Sequence, residues 1–110
     1  MMPGSLSPEV LELIATRFRV LAEPARLRIL NELMVGERTV SELVDATELH
    51  QANVSKHLQL LRTSGFVERR KQGLYAHYRV ADHSVEELCR IMCDRLEAEA
   101  EEQAALLGGR

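Results

Sequence analysis

The chain has 110 residues, 45% hydrophobic and 28% charged, with a net charge of −3; that is room for one domain, and a marginal one alone, because so short a chain removes less of its surface from water. Aromatics are only 4% and Trp is absent, so the core must be aliphatic, which favours helices over a β-sandwich. No run approaches the ~18 apolar residues of a membrane span.

The opening residues, MMPGSLSPEV, lack the charged start and apolar stretch of a secretory signal. The expected location is therefore the cytoplasm, where the two cysteines are thiols and not a structural disulfide. No linker, repeat or low-complexity tract interrupts residues 1–110, which read as a single domain. Ser7-Pro8-Glu9 opens a helix over about 8–22: Ser7 can cap, Pro8 sits where its missing N–H is harmless, and Glu9 meets the positive helix end. Val10, Ile14, Phe18 and Leu21 then recur at helical spacing. Pro24 restarts the chain as a second helix, with Leu27, Leu30 and Met34 on one stripe and Gly36 as its stop.

Thr39-Val40-Ser41-Glu42 is a capping box and predicts a short third helix to about Ala46. Thr47-Glu48-Leu49 is a tight turn, and a fourth helix runs from about His50, its expected cap, to Thr63, ended by Ser64-Gly65. Two helices joined by so short a turn form a helix-turn-helix, here about 39–65. The fourth helix has two chemically different faces. Val54, Leu58 and Leu61 make the buried stripe, with His57 near its edge, while Gln51, Ala52, Ser55, Lys56 and Gln59 point elsewhere without a negative charge among them. A solvated helix face ordinarily mixes both signs; a polar and cationic one suits base edges and phosphates.

Residues 66–80 alternate with period two on either side of Gly73, which predicts a hairpin carrying Arg69, Arg70 and Lys71, with Leu74, Ala76, Tyr78 and Val80 on one face and His77 on the other. A lone hairpin is unstable and must pack on the helices. Charge follows the same division. Residues 50–79 hold six Lys/Arg against Glu68 alone, whereas the flanking segments carry net −3 and −5. A basic middle between acidic ends is the footprint a polyanion requires.

Ser84-Val85-Glu86-Glu87 is a second capping box, opening a last helix over about 85–106. Its stripe of Val85, Leu88, Cys89, Met92, Leu96 and Ala100 has, like the first helix, no partner left inside a monomer whose middle helices pack together. A homodimer through the first and last helices follows. Cys89 and Cys93 lie one turn apart on that helix, about 5–6 Å between Cβ atoms, against ~3.8 Å in a disulfide. The pair reads either as a site for a soft metal ion or redox signal or as two small core residues of the seam, with no metal at all. His83, beside Asp82 and ahead of Glu87, is a weaker candidate ligand.

The runs EPARLRIL (23–30), TVSELVDAT (39–47) and QANVSKHLQLLRTSGFVERRKQGLYAHYRV (51–80) resemble the ArsR/SmtB family of dimeric winged helix-turn-helix repressors. The resemblance covers roughly residues 10–97. It implies a mainly α fold with a β-hairpin wing in the order α-α-α-α-β-β-α, dimerisation through the first and last helices, and repression relieved by a metal or other inducer. Carried over residue by residue, the base- and phosphate-contacting positions fall on Gln51, Ala52, Asn53, Ser55 and Lys56, and the basic wing on Arg70, Lys71 and Gln72. Two departures stand out. Thr39 and Ser41 occupy the third-helix positions where arsenic- and cadmium-type members carry cysteines, and Asp82 is kept without the other zinc- and cobalt-type ligands, which are Ser84, Arg95 and Ala98 here.

No glycine-rich phosphate loop, nucleophile elbow or Cys-x-x-Cys motif supports an enzyme. The expectation is a DNA-binding transcriptional repressor on a pseudo-palindromic operator, released by a metal ion or thiol-reactive signal. The alternative, a winged-helix protein-interaction module without an inducer site, fits the acid-free face less well.

Overall fold

Caps and breakers divide the chain close to where the sequence puts them. The computed structural model, which describes residues 1–108, contains α1 (Pro8–Leu21), α2 (Pro24–Val35), β1 (Arg38–Thr39), α3 (Val40–Thr47), α4 (Gln51–Thr63), β2 (Val67–Gln72), β3 (Tyr75–Val80) and α5 (Ser84–Gly108). The Ser7 hydroxyl accepts from the Val10 N–H at 3.3 Å. The Thr39 capping box closes in both directions, at 2.9 and 3.2 Å. Between α3 and α4 the chain turns on Glu48, a left-handed residue at φ 60°, while the buried Thr47 hydroxyl donates to the Leu43 carbonyl at 2.6 Å. His50 holds the N-cap position of α4 without a side-chain hydrogen bond.

The core lies among α2, α3, α4 and the sheet, with Ile29, Leu30, Leu43, Val54, Leu58, Leu61 and Phe66 at most 1% exposed. The predicted α4 stripe is the buried one. On α2 the inward face is Ile29, Leu30 and Leu33, which corrects the predicted Leu27–Leu30–Met34 stripe: Leu27 is 39% exposed and Met34 only partly covered. Both stripes share Leu30, and the choice falls to whichever face α3 and α4 can cover.

Three further details depart from expectation. A third strand, β1, pairs antiparallel with β3 through Arg38↔Tyr78 and Thr39↔His77, giving the sheet order β1-β3-β2 and inserting a strand into the predicted order of elements. It covers an edge of β3 that would otherwise be open. Leu74 belongs to the Gly73–Leu74 turn, with Gly73 at φ 61°, and is 95% exposed, not inward with Val80. Ser84 does not cap α5. The Asp82 carboxylate accepts from the Ser84 N–H at 3.0 Å and from its hydroxyl at 2.6 Å, so the hydroxyl predicted as an acceptor is spent as a donor to a stronger acceptor two residues upstream.

One side chain ties the outer helices to this body. Arg17 of α1 donates to the Ser64 carbonyl at 3.2 Å, pairs with Asp82, and lies over the Phe66 ring at 4.3 Å. It therefore joins α1 to the end of α4, the start of β2 and the start of α5. Beyond Cys89, which is partly buried against the core, α5 leaves the body, and Ile91, Met92 and Leu96 are more than 60% exposed. The radius of gyration is 17.3 Å, against about 13 Å for a compact domain of this length. Leu11, Leu13 and Phe18 of α1 are likewise more than half exposed.

Hydrogen bonds from Ser84 hold the Asp82 carboxyl below its ordinary value against the opposing effect of burial, with Arg17 adding to the lowering. A depressed carboxylate contributes stability that is present above its unfolded value and lost as pH falls through the folded one. Asp82→Asn should therefore lower stability near neutrality and flatten the loss below about pH 4, read by denaturant titration at a series of pH values. An acid limb unchanged by the substitution would remove the carboxylate from this joint.

Candidate nucleic-acid interface

Because Val54, Leu58 and Leu61 bury one side of α4, the rotation of the helix about its axis is set, and its opposite side faces water. Gln51, Ala52, Asn53, Ser55, Lys56 and Gln59 are all exposed. Among the described residues, the polar side chains of this set have no hydrogen-bond or ion-pair partner, and the first turn of α4 carries no acid. Free donors and acceptors next to the positive end of a helix suit an anionic partner presenting hydrogen-bonding edges.

His57 stands at the margin of this face, half-buried, with its Nδ1 3.4 Å from the Arg26 guanidinium. Burial, and then the Arg26 charge, push its pKa down, so it stays neutral further into acid than an ordinary histidine. Arg26 is in turn anchored by the Val20 carbonyl at 2.5 Å. His57 is thus a packed helix-edge residue, as its spacing suggested.

The wing is less uniform than the sequence implied. Arg70 is engaged by Glu37 at 3.1 Å and donates to the Gln72 side-chain Oε1 at 3.0 Å, so two of the three predicted wing residues are bound to one another and to an acid from the α2–β1 connection. Arg79 pairs with Glu68. Lys71 and Arg69 are exposed and carry no partner among the described residues. Arg69 was legible as a hairpin cation, but the wing assignment starting at Arg70 passed it over.

The thiols lie apart from this surface. Cys89 is half-buried against the core and Cys93 exposed, and both line a groove of about 550 Å³ between α2 and α5. Among the described residues no three His, Cys, Asp or Glu side chains are grouped to hold a metal ion. His83 pairs with Glu86 at 3.1 Å instead of joining Asp82.

The same chain is similar to known regulators. A profile described as the bacterial regulatory protein, arsR family, matches residues 23–69. The HTH-type transcriptional repressor SmtB of Mycobacterium tuberculosis is 38% identical over 81 residues, or 74% of this chain and 60% of that protein; the chain thus spans under two thirds of that relative's length. The arsenical resistance operon repressor of Escherichia coli is 38% identical over 93 residues, 82% of this chain and 78% of that one. Among solved structures, Rv0081 of M. tuberculosis superposes with a TM-score of 0.79 at 33% identity, covering 91% of this chain and 100% of that. The homodimeric winged helix-turn-helix DNA-binding domain Mb0332 of Mycobacterium bovis gives 0.71 at 31% identity, covering 94% of each chain. These are mainly helical folds with the same antiparallel hairpin.

The Glu37–Arg70 pair is half-exposed, and such a pair contributes about 0–1 kcal/mol, so a phosphate can displace it. Arg70→Ala should therefore make the dependence of duplex binding on salt shallower by about one counterion, as the loss of a phosphate contact does. The measurement is anisotropy of a labelled duplex at graded salt. An unchanged slope would show that Arg70 never meets a phosphate.

Proposed function

The chain belongs to the arsR family of bacterial regulatory proteins, and we propose that it is a single-domain, dimeric cytoplasmic repressor that reads a pseudo-palindromic operator through α4 and its wing and releases it on a signal received at α5. The observation that carries this reading is the exposed, acid-free and partnerless face of α4 beside the free cations of β2. Winged helix-turn-helix regulators bind DNA, and the chain's relatives are transcriptional regulators and not enzymes. No helix among the described residues is long and apolar enough to cross a membrane.

In this reading Gln51 and Asn53 meet base edges, where an amide pairs bidentately with adenine, and Ala52 offers an apolar surface to a thymine methyl. Ser55, Lys56 and Gln59, lying further along the helix, and Lys71 with Arg69 and Arg70 on the wing, contact phosphates and fix register. A dimer would place its two α4 helices in successive major grooves, with half-site centres about 10–10.5 bp or a multiple apart.

Relatives are named for mercury and arsenical resistance, so a soft ion is one candidate signal. One chain supplies two thiols and, among the described residues, no ready group of three ligands. That donor set fits a two-coordinate soft ion, a three-sulfur site completed by the second subunit, or four-coordinate binding completed by Glu86 or Glu97.

Gln51→Ala should cost about 1–3 kcal/mol at the cognate operator and little on unrelated duplex, whereas Lys71→Ala should weaken both alike and flatten the salt dependence. Anisotropy titrations against cognate and scrambled duplexes separate the two. Equal losses on both duplexes for Gln51→Ala would show that α4 does not read sequence through this residue.

A further inference from the structure

We propose that the groove between α2 and α5 is a covalent-capture site for small apolar carbon electrophiles of the unsaturated-carbonyl class, with Cys93 as the nucleophile. The consequence for DNA rests on the reading of α5 as the signal-receiving element, while the capture itself is separable from it. The groove, about 550 Å³, lies within the roughly 300–1,000 Å³ of small-molecule sites. Leu27 and Met34 give it apolar walls, Arg28 and Asn31 add donors, and the two thiols occupy the α5 side. The DNA-reading face uses none of these residues.

The arrangement disfavours a disulfide and a three-ligand metal site within one chain. At about 5–6 Å between Cβ atoms one turn apart on a helix, they are poorly placed to close a disulfide, and no metal-holding group of three ligands is present among the described residues. Besides the two-coordinate ion already considered, the pair offers a soft nucleophile beside an apolar surface. Cys93 is the exposed thiol, whereas Cys89 is half-buried against the core. On α5 the pair turns toward α2, while Leu88 turns the other way, toward Ile14 and Phe18 of α1.

The step balances without a co-reactant. The Cys93 thiolate bonds to the β-carbon, the C=C π pair moves onto the carbonyl oxygen, and the enolate takes a proton from water at the α-carbon. Nothing leaves and nothing is oxidised. Arg28 or Asn31 supplies a donor for the developing oxyanion. Because α5 beyond Cys89 is scarcely covered by its own chain, an adduct wedged against α2 would displace the helix that the dimer uses, which is the differential contact a signal must make.

The test compares N-phenylmaleimide with a maleimide bearing a sulfonate tail on the intact protein, following adducts by mass spectrometry and using glutathione as the free-thiol reference. Capture in the groove predicts one adduct, mapped to Cys93, with the apolar reagent favoured about tenfold over its ratio on glutathione. Leu27→Asp and the groove-filling Asn31→Trp should each erase that preference, with unchanged circular dichroism confirming the fold. The phenyl adduct should lower operator affinity at least about fivefold, with Cys93→Ser insensitive. A reagent ratio equal to that of glutathione, an adduct on Cys89, or a preference untouched by both groove variants would overturn the site. Fully modified protein that binds operator as before would overturn its regulatory role. Unmodified protein that binds no DNA would instead overturn the functional reading and leave the reagent preference standing.

Discussion

Apolar surface has to be covered, and in this chain the cover runs out. The core formed by α2, α3, α4 and the three-stranded sheet consumes the inward faces of those elements, and Val85 is the only fully buried residue of the 25-residue α5. What projects beyond it is a helix whose Met92 and Leu96 are more than 60% exposed. Alongside stands α1, with Leu11, Leu13 and Phe18 in water. Fully burying an aliphatic side chain is worth about 1.5–3 kcal/mol, so a second copy covering both helices is the simplest source of the missing stability. The domain Mb0332, which shares this fold, is homodimeric.

From the same constraint comes the division of labour. Burial of Val54, Leu58 and Leu61 fixes the rotation of α4 and turns outward a polar face that has no partner among the described residues. Among the contacts that hold the outer helices to the body is the Arg17 cluster, reaching Ser64, Phe66 and Asp82 at once. If the body reads DNA and the outer helices set the spacing between two bodies, as proposed, a small shift at this joint or in the α2–α5 groove can couple the two. The thiols lie on α5 and not on the exposed face of α4, so in the proposed reading a signal there acts on spacing without competing for DNA.

Local chemistry was legible in the sequence; competition between distant groups was not. Ser7, the Thr39–Glu42 box and the α4 stripe each announce themselves within four residues, and each forms as expected. The strand β1 did not, since two residues carry no alternation and their partners in β3 lie about forty residues on. The α2 face was ambiguous because two stripes share Leu30. At Ser84 the capping pattern was present, but Asp82 is the stronger acceptor and took the hydroxyl. On the wing, Arg70 reads as a free cation until Glu37, 33 residues away, is seen against it. Gln51, Ala52, Ser55, Lys56 and Gln59 were named as exposed from the stripe alone, because burial of a regular stripe dictates what the other side shows; Leu60, Arg62 and Thr63 are exposed as well and were not named.

The claim at the centre is that the first and last helices form the seam between two copies and that DNA binding requires it. Sedimentation at micromolar protein, with parallel operator titrations, tests it through Leu96→Glu, a substitution outside both the core and the α4 face. The account predicts a dimer for the parent chain, a folded monomer for the variant, and a loss of at least about tenfold in operator affinity, since each half-site then binds alone. A parent chain that sediments as a monomer while binding operator tightly, or a monomeric variant that binds as well as the parent, would contradict it.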